Sequence, residues 1–230
     1  MTGSTRATLE RELQEMQDDL LRLADRVDQA IADAMRSLEQ RDFDLARQVV
    51  AGDADINALR FQIEENCLRL IATQQPAAGD LRSVVAAMNI VVDLERMGDH
   101  AAGIARTVLR MGDEPLLKPL IDMPRMAEIC RQMLRKSLQA YVDRDADGAL
   151  AIARQDDTID GLYQQIFREL LSFMIEDPRT TTRALALLFS AHNLERIGDR
   201  VTNIVERIVF MTSGEMREVN PEPRNSAELQ

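Results

Sequence analysis

The eight residues DLERMGDH at 93–100 return as NLERIGDR at 193–200, 100 positions further along the chain. Both copies place glutamate, arginine, glycine and aspartate at the same spacing. Upstream, RDFDLA at 41–46 returns as RDADGA at 144–149, an interval of 103 residues. An interval that drifts slowly through loop-sized gaps is typical of a duplicated structural unit. The sequence therefore predicts two similar halves.

Apolar residues recur with helical periodicity through both halves. Along the first segment their spacings alternate between four and three, which predicts a long helix with a heptad seam. The seam consists of Leu9, Leu13, Met16, Leu20, Leu23, Val27, Ala30 and Ala34. Polar breaks and prolines divide the remainder into five more predicted helices. These lie at about 45–75, 78–110, 125–143, 149–176 and 181–211.

The composition agrees with helices alone. Aromatic residues make up 3% of the chain and Trp is absent, so the core must be built from Leu, Ile, Val, Met and Ala. That set favours helix-on-helix packing over sheets. We predict an all-α fold of two tandem three-helix bundles, with six long helices related by internal duplication.

A segment rich in proline separates the two predicted bundles. Residues 111–124 contain three prolines and a glycine, which is typical of a linker. The last residues lack an apolar period, and we expect them to be disordered. The predicted domains are a first bundle at 1–112, a linker at 113–124, a second bundle at 125–213 and a disordered tail at 214–230.

Charge and cysteine usage exclude several classes of protein. A net charge of −11 repels nucleic acid, so we expect no nucleic-acid partner. No apolar run approaches the roughly 18–20 residues that span a bilayer, and the first residues show no signal peptide. Cys67 and Cys130 lie in helical apolar patterns outside any Cys-x-x-Cys pair, which indicates buried thiols in a reducing compartment. We expect a soluble cytoplasmic protein.

The repeated motif places acids on the stripe predicted to face partner helices. Glu95 and Asp99 continue an apolar stripe in the third helix, and Glu195 and Asp199 do so in the sixth. Carboxylates four residues apart lie on one helix face. Two like charges in a half-buried stripe repel each other, and each carries a desolvation cost. Some other group must therefore neutralise them.

The neighbouring helix of each half carries a matching polar pair. Asp156 and Asp160 are four residues apart, and the corresponding residues in the first half are Asp53 and Asn57. If these turns meet the acids of the repeated motif, three or four carboxylates converge. Carboxylate oxygens suit Mg²⁺, Ca²⁺, Mn²⁺ and iron, so we predict a metal site in each half. Iron or zinc is favoured if a histidine joins, and His192 lies one turn before Glu195.

The other residues of the motif fit a close helix contact. Gly98 and Gly198 each cost about 1 kcal/mol in a helix interior, and they leave room for a neighbouring backbone or a metal cluster. Arg96 and Arg196 point away from the stripe, where they could hold outer carboxylates or an anion. Single histidines are more often ordinary polar residues, so His100 stays outside the predicted ligand set together with His192.

Three functional interpretations remain open at this level. The first is a helical adaptor with two carboxylate metal sites. The second is a carboxylate-bridged metal enzyme, although the sequence has no phosphate-binding loop, nucleophile elbow or zinc-protease motif. The di-iron pattern Glu-x-x-His fails as well, because glycine follows each glutamate at the third position. The third is a structural bundle whose acids pair with Arg96, Arg196 or Arg200.

LERMGD, LERIGD, QQPAAGDLR and MIEDPRT resemble segments of the PhoU family of phosphate-transport-system regulatory proteins. The resemblance covers about residues 6–213 and implies a cluster of iron or zinc, with magnesium or manganese also open. The implied ligands in the first half are Asp53, Glu95 and Asp99. The implied ligands in the second half are Asp156, Asp160, Glu195 and Asp199. Asn57 departs from the pattern, which puts the first cluster in doubt.

The resemblance also implies a role. Members of this family are cytoplasmic, peripheral regulators that couple a phosphate ABC transporter to a sensor histidine kinase. They repress the phosphate-starvation response when phosphate is plentiful. A homodimer is a further expectation from the long seam of the first helix, although the same stripe can be buried inside its own bundle.

Overall fold

A computed structural model describes residues 2–219 of the chain, with side chains from Arg6 onward. Within this range the secondary structure is entirely helical, which confirms the predicted fold class. The helices are α1 (Thr2–Gln40), α2 (Phe43–Gln74), α3 (Ala78–Met111), α4 (Asp122–Asp143), α5 (Ala146–Ala153), α6 (Asp156–Glu176) and α7 (Thr181–Ser213). A single 3₁₀ turn, Pro178–Thr180, joins α6 to α7. Residues 214–219 of the predicted tail form no helix, and residues 220–230 lie outside the described part.

The helices pack as two bundles, and one helix from each, α3 and α7, forms a pair at the centre. Helices α1, α2 and α3 contact one another, and α4, α5 and α6 all contact α7. The two bundles meet chiefly where α3 packs against α7, with a second contact between α1 and α4. The duplication predicted from the sequence is therefore built around two equivalent helices, α3 and α7, each of which carries one copy of the repeated motif.

The first break in each half is made in the same way. Arg41 and Arg144 both take a left-handed backbone conformation with φ of 55° and end the preceding helix. Asp42 and Asp145 follow, and each carboxylate accepts a hydrogen bond at 2.9 Å from the backbone N–H three residues further on. This bond satisfies a free donor of the first turn, so the aspartate starts the next helix.

The helix predicted at 149–176 is interrupted. Helix α5 ends at Ala153 and α6 begins at Asp156. Two tight bonds to the third residue back, from Gln155 N to Ile152 O at 2.9 Å and from Thr158 N to Gln155 O at 3.1 Å, close the turn between them. Helices α5 and α6 therefore together cover the fifth of the six predicted helices, with a turn between them. The interruption places Asp156 in the first turn of α6.

The buried stripe of α3 and α7 lies one position away from the stripe chosen in the sequence. Leu81 and Leu185 lie on the predicted stripe, two heptads before Glu95 and Asp199 respectively, and each is 38% exposed. The buried positions recur at the same interval of 100 residues in both helices. They are Val84, Ala87, Val91, Leu94, Gly98, Ala101, Ala105 and Val108, and Ala184, Leu187, Ala191, Leu194, Gly198, Val201, Val205 and Ile208. The motif acids therefore lie at the edge of the seam, beside the neighbouring helix.

The long first helix buries its seam inside the chain. Six of its eight predicted seam residues are buried, and Leu13 and Ala30 are partly buried. The seam thus does not itself require a second copy, and a homodimer stays a prediction. Cys67 and Cys130 are free and buried as expected. Among the described residues, no helix combines the length and apolar character needed to cross a membrane.

Candidate metal centre

The second half brings its four predicted acids together. Asp156 lies in the first turn of α6 and is only 4% exposed, while Asp160 lies one turn further on and is exposed. Glu195 and Asp199 are partly buried on α7, which packs against α6. The charges of Asp160, Asp199 and Glu195 all act on Asp156. The structure therefore forms one acidic cluster from two helices.

Burial and mutual repulsion raise the pKa of three acids in this cluster. Burial and, to a lesser extent, the neighbouring carboxylates together raise the pKa of Asp156 to about 7. Burial and the charge of Asp199, opposed by Arg196, raise the pKa of Glu195 to about 7. Partial desolvation and the charge of Asp199 raise the pKa of Asp160. A cluster of this kind is costly when ionised unless a cation joins it.

Two oxygens of the cluster are buried without a hydrogen-bond partner, Asp156 Oδ1 and Glu195 Oε2. Glu195 Oε2 lies 3.3 Å from Nδ1 of His192, but without the geometry of a hydrogen bond. The ring of His192 in turn lies 6.0 Å from that of Tyr163, measured between centroids. Unpaired carboxylate oxygens beside an imidazole are a donor set that suits a metal ion.

The donor chemistry fits a metal ion, although the ligands are not fully converged. Among residues 6–219, no group of three or more His, Cys, Asp or Glu side chains is arranged so that it could hold an ion as positioned. Binding would require rotation of the exposed side chains, such as Asp160, toward the buried Asp156.

The glycines of the motif make room for side chains of the neighbouring helix. A Cβ at Gly198 would lie 2.7 Å from Asp156 Oδ1 and 2.8 Å from Ile159 Cδ1. A Cβ at Gly98 would lie 3.0 Å from Cδ1 of Ile56, the residue equivalent to Ile159. The sequence predicted that a backbone or a metal cluster fills this space. The structure instead places an isoleucine in both halves and a carboxylate in the second.

The first half gathers its acids differently. Glu95 is buried at 7% exposure, and Asp53 and Asp99 are partly buried. Arg106 Nη2 donates to Asp53 Oδ2 at 3.4 Å. Arg96 Nη1 donates to Asp99 Oδ2 at 3.3 Å, and its Nε lies 3.6 Å from Glu95 Oε2. Each acid of this cluster therefore lies beside a guanidinium, and one oxygen, Asp53 Oδ1, is buried without a hydrogen-bond partner.

The pKa values of the first cluster reflect these arginines. Burial raises the pKa of Asp53, Asp99 raises it further, and Arg106 opposes both. Burial and Asp99 also raise the pKa of Glu95, while Arg96 and Arg60 oppose the shift. The amide of Asn57 donates to the backbone carbonyl of Asp53 at 3.1 Å, so its nitrogen is directed to its own helix.

The predicted arginines of the motif contact acids of their own helix. Arg196 Nη1 donates to Asp199 Oδ2 at 2.8 Å, as Arg96 does to Asp99. Arg106 and Arg60 were missed because each acts on an acid of another helix. For Arg106 the sequence did contain a signal, because the repeat places a residue of opposite charge, Glu206, at the equivalent position.

Sequence reasoning also missed a polar network between the halves. Asp93 on α3 is buried, and it accepts hydrogen bonds from Arg200 Nη1 at 3.4 Å and Asn203 Nδ2 at 3.2 Å on α7. In the reverse direction, Asn193 Oδ1 lies 3.0 Å from Nδ1 of His100. The equivalent positions in the repeat thus exchange contacts across the α3–α7 interface. Arg200 pairs with Asp93 and not with the acids of the motif.

The fold and the site together define a class: a duplicated all-helical protein with one acidic cluster in each half. The PhoU domain family model matches the chain twice, at residues 20–108 and 123–208. The chain belongs to the PhoU family.

Relatives with similar sequences cover nearly the whole chain. This chain is 36% identical over 204 residues to the phosphate-specific transport system accessory protein PhoU of Escherichia coli (strain K12). The match covers 89% of this chain and 85% of that protein. It is also 37% identical over 217 residues to the PhoU homolog of Clostridium acetobutylicum, in a match that covers 94% of this chain and 99% of that protein. The crystal structure of the phosphate transport system regulatory protein PhoU from Streptococcus pneumoniae matches with a TM-score of 0.85 at 32% identity. That match covers 91% of this chain and 99% of that one.

Proposed function

We propose that this protein is a regulatory component of a phosphate transport system. The observation that carries the proposal is similarity over nearly the full length, in both halves, to proteins named as accessory or regulatory components of such systems. In this proposal it is a cytoplasmic, peripheral adaptor. It couples a phosphate ABC transporter to a sensor histidine kinase and represses the phosphate-starvation response when phosphate is plentiful.

A complementation experiment tests this role. The chain would be expressed in a bacterium that lacks its own regulator of this family, and a reporter of the phosphate-starvation response would be measured at high and low phosphate. We expect repression to return at high phosphate only. Constitutive reporter activity in the presence of well-expressed, folded protein would contradict the regulatory role. Light scattering on the same protein would test the expected homodimer.

The regulatory role includes a metal in the second half. Asp156, Asp160, Glu195 and Asp199 would hold the ion, with iron or zinc expected and magnesium or manganese also compatible with carboxylate ligands. A bound cation would neutralise the cluster and tie α6 to α7. The buried oxygen of Asp156 that lacks a partner supports this assignment.

Metal analysis by plasma mass spectrometry, on protein purified without chelators, tests the site. We expect the Glu195→Ala/Asp199→Ala variant to lose metal that the wild type retains. Glu15→Ala/Asp19→Ala is a matched control, because it removes two acids four residues apart on α1, where each pairs with a nearby arginine. Wild-type metal content in the Glu195→Ala/Asp199→Ala variant would show that the site is assigned incorrectly.

The alternative of a metal enzyme rests on one observation, the two buried carboxylate oxygens without a partner, Asp156 Oδ1 and Glu195 Oε2. A metal ion held by such carboxylates would activate a bound water or a phosphate ester. Relatives named as regulatory or accessory proteins favour the adaptor. Hydrolysis of a phosphate ester by the metal-loaded protein, abolished by Asp156→Ala, would reverse that preference.

A further inference from the structure

We propose that the two acidic clusters have diverged, so that the second binds the metal and the first is neutralised by the protein's own arginines, chiefly Arg106. This inference rests on the metal site proposed above for the second half. It also changes our expectation for the first half, where we assigned metal ligands to Asp53, Glu95 and Asp99.

The number of carboxylates differs between the halves. The repeat pairs Asp53 with Asp156 and Asn57 with Asp160, at the interval of 103 residues. The first cluster therefore has three carboxylates where the second has four. The amide nitrogen of Asn57 is bonded to the carbonyl of Asp53, one turn back on the same helix. A neutral amide adds no charge, so the first cluster attracts a cation less strongly.

The charge at one equivalent position is reversed. Arg106 on α3 pairs with Asp53 at 3.4 Å, whereas the repeat places Glu206 at that position of α7. Glu206 accepts a hydrogen bond from the backbone N–H of Val219 at 3.1 Å. The first half thus carries a cation on the helix that faces its acids, and the second half carries another acid.

A second equivalent position differs in the same sense. Arg60 on α2 lies close enough to Glu95 for its charge to act on that carboxyl, and it also pairs with Glu64 at 3.0 Å. The repeat places Tyr163 at this position of α6, where its ring packs beside His192. A guanidinium in the first half is therefore replaced by a neutral side chain next to an imidazole.

The balance of charge follows from these differences. In the first cluster the three carboxylates pair with two guanidiniums, those of Arg96 and Arg106, and Glu95 also feels the charge of Arg60, which Arg60 shares with Glu64. In the second cluster Arg196 is the one arginine paired with any of the four acids, as far as residues 6–219 show. No lysine or arginine of that range forms an ion pair with Asp156. Because an uncompensated buried charge is costly, the second cluster favours an external cation more strongly than the first.

The inference is tested with Zn²⁺ on the full chain. Metal-depleted protein would be titrated with Zn²⁺, and bound metal per chain measured after gel filtration. The variants are Glu95→Ala/Asp99→Ala, Glu195→Ala/Asp199→Ala and the control Glu15→Ala/Asp19→Ala. We expect the first-half variant and the control to retain the metal of the wild type, and the second-half variant to fall to background.

Two contrary outcomes are distinguishable. If the first-half variant loses as much Zn²⁺ as the second-half variant, the divergence is overturned while the proposed metal site of the second half stands. If the wild type binds no Zn²⁺, the metal site of the second half is overturned, and the inference that rests on it is overturned too. Circular dichroism and melting temperature of every variant identify any that fail to fold.

A transplant tests the role of the arginines directly. Asn57→Asp, Arg60→Tyr and Arg106→Glu would give the first half the residues of the second, in the Glu195→Ala/Asp199→Ala background. We expect Zn²⁺ binding to return, and Asn57→Asp alone to restore less of it. Absence of Zn²⁺ from the folded triple variant would overturn the role given to Arg106. The melting temperature with and without Zn²⁺ provides a readout that needs no activity.

Discussion

Asp156 combines burial with like-charged neighbours. Its carboxyl group is almost wholly buried, one oxygen lacks a partner, and its pKa is raised mainly by burial and next by the charge of Asp160. In a metal-free protein the folded state therefore holds a proton on this group at a pH where the unfolded chain has released it. The free energy of unfolding must therefore depend on pH through Asp156.

The sign of that dependence is set by linkage. Because the pKa of Asp156 rises from about 4 in the unfolded chain to about 7 in the folded protein, the free energy of unfolding falls as pH rises through this window. In the presence of a chelator, we expect the wild type to lose on the order of 3 kcal/mol between pH 4.5 and pH 8 through this residue. Urea denaturation at several pH values measures it. Asp156→Asn should make the profile less steep, with the remaining slope due to Glu195, whose pKa is also raised to about 7, and an unchanged profile would contradict the assignment.

Gly198 makes a second prediction at the residue scale. A methyl group there would collide with Asp156 Oδ1 and Ile159 Cδ1, so Gly198→Ala should destabilise the protein by roughly 1–3 kcal/mol. Gly161→Ala on α6 is a matched control, because its Cβ meets nothing within 4 Å. There we expect a gain of about 0.5–1 kcal/mol from helix propensity. Thermal melts of both variants measure the difference, and equal effects would contradict the close contact.

At the scale of elements, α1 and α4 are joined by a charged clamp across the two bundles. Asp28 on α1 accepts hydrogen bonds from Arg131 at 2.8 and 3.0 Å and from Arg135 at 3.0 Å on α4, and its side chain is 18% exposed. An ion pair that is partly buried and makes two hydrogen bonds to one carboxylate is stronger than an ordinary surface ion pair. This contact links helices that are far apart in sequence.

Removal of the clamp should cost more than removal of a local pair. We expect Asp28→Ala to lower the free energy of unfolding by about 1–2 kcal/mol. Asp33→Ala, on the same helix, removes hydrogen bonds only to residues of α1 itself, Arg36 and Gln29, and should cost at most about 0.5 kcal/mol. Urea denaturation compares the two variants. A loss for Asp28→Ala no larger than that for Asp33→Ala would show that the clamp does not join the bundles.

Much of this architecture could be predicted from the sequence, because helical periodicity and the repeat are local signals. The ends of α1, α2 and α3 follow from polar breaks, from Pro76 and from Gly112. The gap between α5 and α6 could not be predicted, because residues 154–155 contain neither glycine nor proline. The buried stripe was misplaced by one position because α3 packs against α1, α2 and α7 at once, so adjacent stripes are both apolar.

The acids of the candidate site could be predicted from the sequence, whereas the arginines that pair with them could not. The spacing of Glu95, Asp99, Glu195 and Asp199 is visible within one helix turn, and the structure places these residues in two clusters. The pairing of Arg106 with Asp53 joins residues 53 positions apart on different helices. Periodicity contains no information on such a contact, and only the packing of α2 against α3 reveals it.

At the scale of the whole molecule, the halves are joined by one covalent segment and by a large packed interface. Residues 112–121 connect α3 to α4 without a helix, whereas α3 packs along α7 and α1 contacts α4. We expect chains 1–112 and 113–230, produced together in one cell, to copurify through a tag on either one. Failure to copurify, with both fragments present at normal levels, would show that the linker is needed for assembly.

The exchange of contacts across α3 and α7 determines which fragments can associate. Asp93 accepts hydrogen bonds from Arg200 and Asn203. Its counterpart Asn193 contacts His100 and occupies the space left by the absent side chain of Gly103. Two copies of the first fragment would set Asp93 against histidine and glycine, and two copies of the second would leave Arg200 facing an amide. We therefore expect each fragment to prefer the other over a second copy of itself, so that a gene cut at the linker would encode a heterotypic pair.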